Sequence, residues 1–166
     1  ALMQLLGEYI RRERGKIMHN DIRLHAIGEL DALPENTRTA LRELMSASAE
    51  NRGMILCLAL SYGGREEIAA AAKNLCEKVK SGKMNPEEIT VDTFCEATWS
   101  GWLGPVDLLI RTSGELRISN FLLYSMAYAE LYFSKRMWPE FDTGDLDEAF
   151  AAYAARERRF GEVTTP

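Results

Sequence analysis

The sequence predicts an α/β fold: a mainly parallel central sheet flanked by helices. Three observations predict it. Short apolar runs at Met54–Leu60 and Val106–Ile110 alternate along the chain with longer stretches of helical periodicity. Each run stops at small and polar residues, SYGGR at 61–65 and RTSG at 111–114. No repeat, low-complexity tract or linker divides residues 1–166, so they read as one domain of a size that can bury a core.

The elements follow in order. Leu2, Leu5, Leu6, Tyr9 and Ile10 recur at helical spacing, which predicts an amphipathic helix ending near Gly15. Asp21–Gly28 alternates Ile22, Leu24 and Ala26 as a strand does and stops at glycine. Pro34 suits the first turn of a helix running to about Glu50. Met54–Leu60 is continuously apolar, as in a strand covered on both faces. Glu66–Lys80 places Ile68, Ala72, Leu75, Cys76 and Val79 on one helical stripe. Glu87–Ala97 reads as a shorter helix, Val106–Ile110 as a strand, Asn120–Ala129 as a helix, Leu131–Phe133 as a short strand and Leu146–Arg158 as the last helix.

Composition narrows the function. The net charge is −5, which argues against a broad nucleic-acid surface but leaves room for a local basic pocket. Three cysteines, Cys57, Cys76 and Cys95, are an odd number with no CxxC pair, so neither a disulfide framework nor a zinc site is expected. Cys57 and Cys76 fall in apolar patterns and are expected to be buried reduced thiols, which suits the cytoplasm. No apolar run approaches the ~18 residues of a membrane span. The opening ALMQLLGEYIRRERG has no start methionine and reads as the middle of a helix, so the chain is expected to begin inside a longer protein.

The chemistry concentrates in IRTSGELRISN, 110–120. In parallel α/β sheets ligands bind outside the carboxyl ends of the strands, where Arg111 should emerge. Thr112, Ser113 and Gly114 allow a tight turn and offer donors, Arg117 returns to the same edge, and Ser119 stands at an expected helix start, a good place for an anion. Guanidinium groups bind phosphoryl oxygens bidentately, which lysine cannot do. The set suits a phosphate or diphosphate; the competing structural reading pairs Arg111 with Asp107 or Glu115 and leaves Ser119 as a cap alone. The glycines of SYGGR read as closing a strand-to-helix turn. Glu130 could hold Mg²⁺ together with substrate phosphates, or be a solvated helix-end carboxylate. His19 and His25 are not spaced as a metal pair, and Trp99, Trp102 and Trp138 read as core or interface. Arg158 and Arg159 read as a solvated helix end or as reaching an anion across a subunit contact.

DLLIRTSGELRISNFLLYSMAYAELYF, followed by WPEF and RERRFG, strongly resembles the C-terminal signature of the cis-prenyltransferases, the Z-type isoprenyl diphosphate synthases such as undecaprenyl diphosphate synthase. IRLHAIGEL and LALSYGGREEI match earlier signatures in the same order, so the resemblance covers essentially the whole chain. It implies an α/β homodimer that adds isopentenyl diphosphate units, with Mg²⁺, to an allylic diphosphate, commonly farnesyl diphosphate, with Z geometry. The expected product is a polyprenyl diphosphate, undecaprenyl diphosphate in bacteria, whose greasy chain implies peripheral membrane contact. It further implies that Arg111, Arg117 and Ser119, with the Ile118 backbone beside them, are ligands of isopentenyl diphosphate, that Glu130 is the Mg²⁺-binding glutamate, and that Met54–Leu60 lines the product tunnel.

Two departures shape the expectation. The family's N-terminal portion, with its Asp-Gly-Asn-Gly-Arg type loop and metal-binding Asp, is not in this sequence. No catalytic residue is therefore assigned here, and the chain alone is expected to be inactive. Leu116 stands where family members often carry a polar residue, so no metal role is assigned there. The alternatives to an enzyme are a non-catalytic partner subunit of a heteromeric prenyltransferase and a phosphate-binding module.

Overall fold

The structure is a computed structural model describing residues 2–156. Its helices are α1 (Leu2–His19), α2 (Glu35–Ala47), α3 (Gly64–Lys80), α4 (Val91–Ala97) and α5 (Thr143–Ala154); its strands are β1 (Arg23–Ile27), β2 (Ile55–Ala59), β3 (Leu108–Arg111) and β4 (Glu130–Phe133). The α/β class and the parallel pairing are as expected. The described strands pair as β1 with β2 and β3 with β4, both parallel. The chain forms two compact units, the first ending at Glu67 and the second beginning at Ile68.

In the first unit α1 continues past Gly15, because Ile17 repeats the position of Ile10 one heptad on and both are buried. Gly7 permits close approach of α2: a β-carbon there would stand 3.0 Å from Thr37 Oγ1, whose hydroxyl donates to the Met3 carbonyl at 2.7 Å. Ile10, Ile17, Leu24, Ala26, Leu33, Ala40, Leu41 and Leu44 form one buried cluster. The buried Ser48 hydroxyl accepts from the Leu24 N–H at 3.0 Å and donates to the Leu44 carbonyl at 2.9 Å. Asn51 Nδ2 donates to the Ile22 carbonyl at 2.7 Å.

β1 and β2 run in register from Arg23 opposite Ile55 to Ile27 opposite Ala59. Contrary to the expectation of burial on both faces, Met54, Ile55 and Leu56 are exposed. An apolar run is covered twice only if layers lie on both sides; here Leu58 and Leu60 pack on the core and the start of the run does not. At the carboxyl end of the pair Gly28 has φ +110, and a β-carbon there would fall on the Leu60 carbonyl oxygen.

The buried positions of α3 are Gly64, Glu67, Ala71 and Leu75. The stripe is therefore rotated from the expected one, and Cys76, one residue past Leu75, is exposed; Cys57 is half-buried. The polar Glu67 hid the true face from an apolar count.

In the second unit the expected helix 87–97 divides: a 3₁₀ turn spans Pro86–Glu88, and Thr90 then caps α4 by accepting from Thr93 N–H at 3.2 Å. β3 and β4 pair from Leu108 opposite Glu130 to Arg111 opposite Phe133. Asp142 caps α5, accepting from Gly144 and Asp145 N–H. The expected helix Asn120–Ala129 is instead a succession of turns. Ser119, Asn120 and Leu122 have φ of 49°, 64° and 43°, and a right-handed helix cannot propagate through left-handed residues. Tertiary bonds replace the helical ladder: Val106 N–H donates to the Ser125 carbonyl at 2.9 Å, the Ser100 and Ser125 hydroxyls meet at 2.8 Å, and the Tyr124 hydroxyl donates to the Val91 carbonyl at 3.0 Å. Trp102 and Trp138 are exposed; Trp138 stacks on Phe141. Arg158 and Arg159 lie outside the described residues.

Candidate active site

Arg111 is the last residue of β3 and emerges at the strand's carboxyl end. A cavity of about 210 Å³ opens there, lined by Leu109, Ile110, Arg111, Thr112, Ile118 and Phe121. Neither alternative partner of Arg111 holds it. Glu115 is ion-paired to Arg117, and Asp107 lies at the other end of β3, its carboxylate 3.5 Å from the Tyr153 hydroxyl. Among the described residues no carboxylate is in ion-pair contact with the Arg111 guanidinium. A guanidinium without a carboxylate partner, at a strand's carboxyl end beside a cavity, is chemically suited to an anion.

The turn after Arg111 is fixed rather than open. Ser113 and Gly114 adopt φ of 68° and 66° and donate their N–H groups to the Arg136 and Ser134 carbonyls at 2.6 and 2.8 Å, while Ser134 N–H donates to the Arg111 carbonyl at 2.8 Å. Those two amides are therefore engaged by the segment after β4, and the expected donation by this turn to an anion falls to side chains. Ile118 reaches the cavity, and Arg117 stands exposed, its guanidinium on Glu115. An ion pair this exposed is weak and exchanges readily. Ser119 is exposed, and since no helix follows it, no helix terminus supplements the arginines.

Glu130 is placed elsewhere. It begins β4 opposite Leu108, three residues from the Arg111–Phe133 pair, which is about 10 Å along a strand. The fold brings Arg111 and Ile118 together and sets Glu130 at the amino end. There Glu130 Oε2 accepts from Arg156 Nη1 at 2.6 Å, and Arg156 Nη2 donates to the Leu131 carbonyl at 3.0 Å. Glu130 N–H donates to the Asp107 carbonyl at 2.9 Å. Among the described residues no cluster of three His, Cys, Asp or Glu could cage a metal. One carboxylate beside a guanidinium fits a hard cation that brings its remaining oxygens from a diphosphate or water.

Sequence reasoning missed Arg156 and the buried Glu67. The first gave no local signal, because Arg156 lies two residues past α5 and its partner Glu130 is 26 residues earlier. Nothing local signalled the second. The Tyr62 hydroxyl donates to Glu67, and Gly63 and Gly64 between them are buried, so SYGGR does close a strand-to-helix turn. No helix among the described residues is long and apolar enough to cross a membrane.

The fold is that of an α/β protein in which the parallel strand β3 carries Arg111, without a carboxylate partner among the described residues, to its carboxyl end beside a small cavity. The chain belongs to the cis-prenyltransferase family: the family model described as "Putative undecaprenyl diphosphate synthase" matches residues 1–161. It is 42% identical to an isoprenyl transferase of Chlorobaculum tepidum over 99% of this chain and 62% of the relative. It is also 42% identical to the ditrans,polycis-undecaprenyl-diphosphate synthase ((2E,6E)-farnesyl-diphosphate specific) of Vibrio cholerae, over 97% of this chain and 64% of that protein. The crystal structure of lavandulyl diphosphate synthase from Lavandula x intermedia in complex with dimethylallyl diphosphate superposes with a TM-score of 0.92 at 37% identity, covering 97% of this chain and 70% of that one. The chain thus spans somewhat under two thirds of the length of the first of these relatives.

Proposed function

We propose that the protein condenses isopentenyl diphosphate stepwise onto an allylic diphosphate, farnesyl diphosphate, with Z geometry, and that it releases a polyprenyl diphosphate of undecaprenyl length. The observation that carries this reading is the Arg111 guanidinium, without a carboxylate partner among the described residues, beside a small open cavity of mixed polar and apolar lining. The farnesyl specificity in the name of the Vibrio cholerae relative supports the allylic partner.

In this reading Arg111 holds the diphosphate of the incoming isopentenyl unit, and Arg117 joins it by leaving Glu115. Ser119 adds a hydroxyl. Ile118 and Phe121 shield the five-carbon portion from water and fix its direction. Holding both reactants in a dry, charge-complementary site removes orientational entropy and stabilises charge as the allylic C–O bond breaks. Mg²⁺, when bound, neutralises diphosphate charge, and Glu130 is the side chain assigned to hold it. The protein works as a homodimer in the cytoplasm and touches the membrane only through its product.

The test uses the complete protein with radiolabelled isopentenyl diphosphate, farnesyl diphosphate and Mg²⁺, with an EDTA control and the products resolved by length. A Mg²⁺-dependent ladder ending at one length is the expected result. No incorporation by folded protein, with shorter and longer allylic primers also tried, would leave a partner subunit or a phosphate-binding module as the better description.

A further inference from the structure

We infer that Arg156 makes cation capture at Glu130 conditional on the arrival of a diphosphate; this rests on the reading of Glu130 as a metal-holding residue. One guanidinium, from the bend two residues past α5, makes two bonds, to Glu130 Oε2 at 2.6 Å and to the carbonyl of the next residue, Leu131, at 3.0 Å. The two bonds together place the positive charge at the head of β4 beside the Glu130 carboxylate. A divalent cation approaching Glu130 alone meets that charge and must share or displace it. A cation arriving with a diphosphate brings compensating negative charge, for which Arg156 is a second attractor rather than a competitor. Arg156 is thus a positioning residue that lowers affinity for the bare ion and thereby couples metal binding to substrate binding.

The half-exposed pair, with side chains 39% and 26% accessible, sets the size of the effect. Near-aqueous screening applies, so removing the charge should tighten binding of a bare divalent ion about five- to tenfold. The probe is Mn²⁺ alone, titrated into ¹⁵N-labelled full chain, with paramagnetic broadening of the Glu130 and Leu131 amide resonances as the readout. Arg156→Gln is expected to lower the Mn²⁺ concentration for half-maximal broadening by that factor. Arg156→Lys, which keeps the charge, should stay within about twofold of the parent. Glu130→Gln should abolish the broadening. If Glu130→Gln broadens like the parent, the metal reading of Glu130 itself fails and the inference with it. If Glu130→Gln abolishes broadening while Arg156→Gln binds no tighter, or Arg156→Lys behaves as Arg156→Gln does, Glu130 remains the ligand and the role of Arg156 is overturned. Absence of any broadening in parent and Arg156→Gln alike also overturns it.

Discussion

The Tyr62 hydroxyl donates a hydrogen bond to the carboxylate of Glu67, a side chain with no solvent exposure in the first turn of α3. A buried carboxylate is tolerated only with its oxygens satisfied. Tyr62→Phe removes a donor while leaving the ring and should cost about 1.5–3 kcal/mol, the range for hydrogen bonds to charged groups. Urea unfolding of parent and variant measures it. A loss below about 0.5 kcal/mol would mean that other donors suffice for Glu67.

Gly28 is held at φ +110 against the Leu60 carbonyl. Gly28→Ala adds a β-carbon to a backbone conformation that L-residues rarely adopt and onto a backbone atom that cannot swing aside. The expected loss is at least about 2 kcal/mol, seen as a lowered thermal midpoint. Gly82, with φ +69 and nothing within 4 Å of the added carbon, provides the control: its alanine variant suffers the conformational cost without the collision.

The cradle at the end of β3 predicts an ordering. Arg111→Lys keeps the charge but loses the planar fork, and KM for isopentenyl diphosphate should rise about tenfold in the complete protein. Arg111→Ala loses both and should fall further, by about a hundredfold in kcat/KM. Circular dichroism of both variants should match the parent, since the side chain leaves no carboxylate unpaired among the described residues. Equal kinetics for Lys and Ala would show that bidentate geometry is not what this position supplies.

The thiols should differ in reactivity. Burial pushes the Cys57 thiol above its ordinary pKa, and Cys76 is exposed on α3. Alkylation requires the thiolate, so iodoacetamide followed by peptide mass spectrometry should mark Cys76 well before Cys57 at pH 8. The sign of the linked stability effect is fixed. The native state keeps the Cys57 proton longer than the unfolded chain does, so stability falls as pH rises from the ordinary thiol pKa towards the raised one. Replacing Cys57 by Ser should flatten that limb of the stability profile.

Most of the fold was legible because helices and strands advertise themselves by period. β1, β2, β3 and β4 fall within or beside the segments expected, and Arg111 stands where a strand-end argument puts it. What was not legible depended on contacts distant in sequence. Asn120–Ala129 has the composition of a helix, yet Ser125 and Tyr124 bond to residues 100, 106 and 91, and those bonds hold a turn-rich path. The face of α3 was misjudged because Glu67 is buried by a partner five residues earlier and not by its own polarity. The separation of Glu130 from Arg111 follows from the β3–β4 register, which no single-segment pattern encodes.

The side chains of Ser48 and Asn51 occupy the Leu24 N–H and the Ile22 carbonyl, both on the side of β1 away from β2. An uncovered strand border is a template on which another extended chain can grow by hydrogen-bond pairing. Here two polar side chains from the turn after α2 imitate that missing neighbour over the first half of the strand. The first half of the β1 border is thereby satisfied by the chain's own side chains.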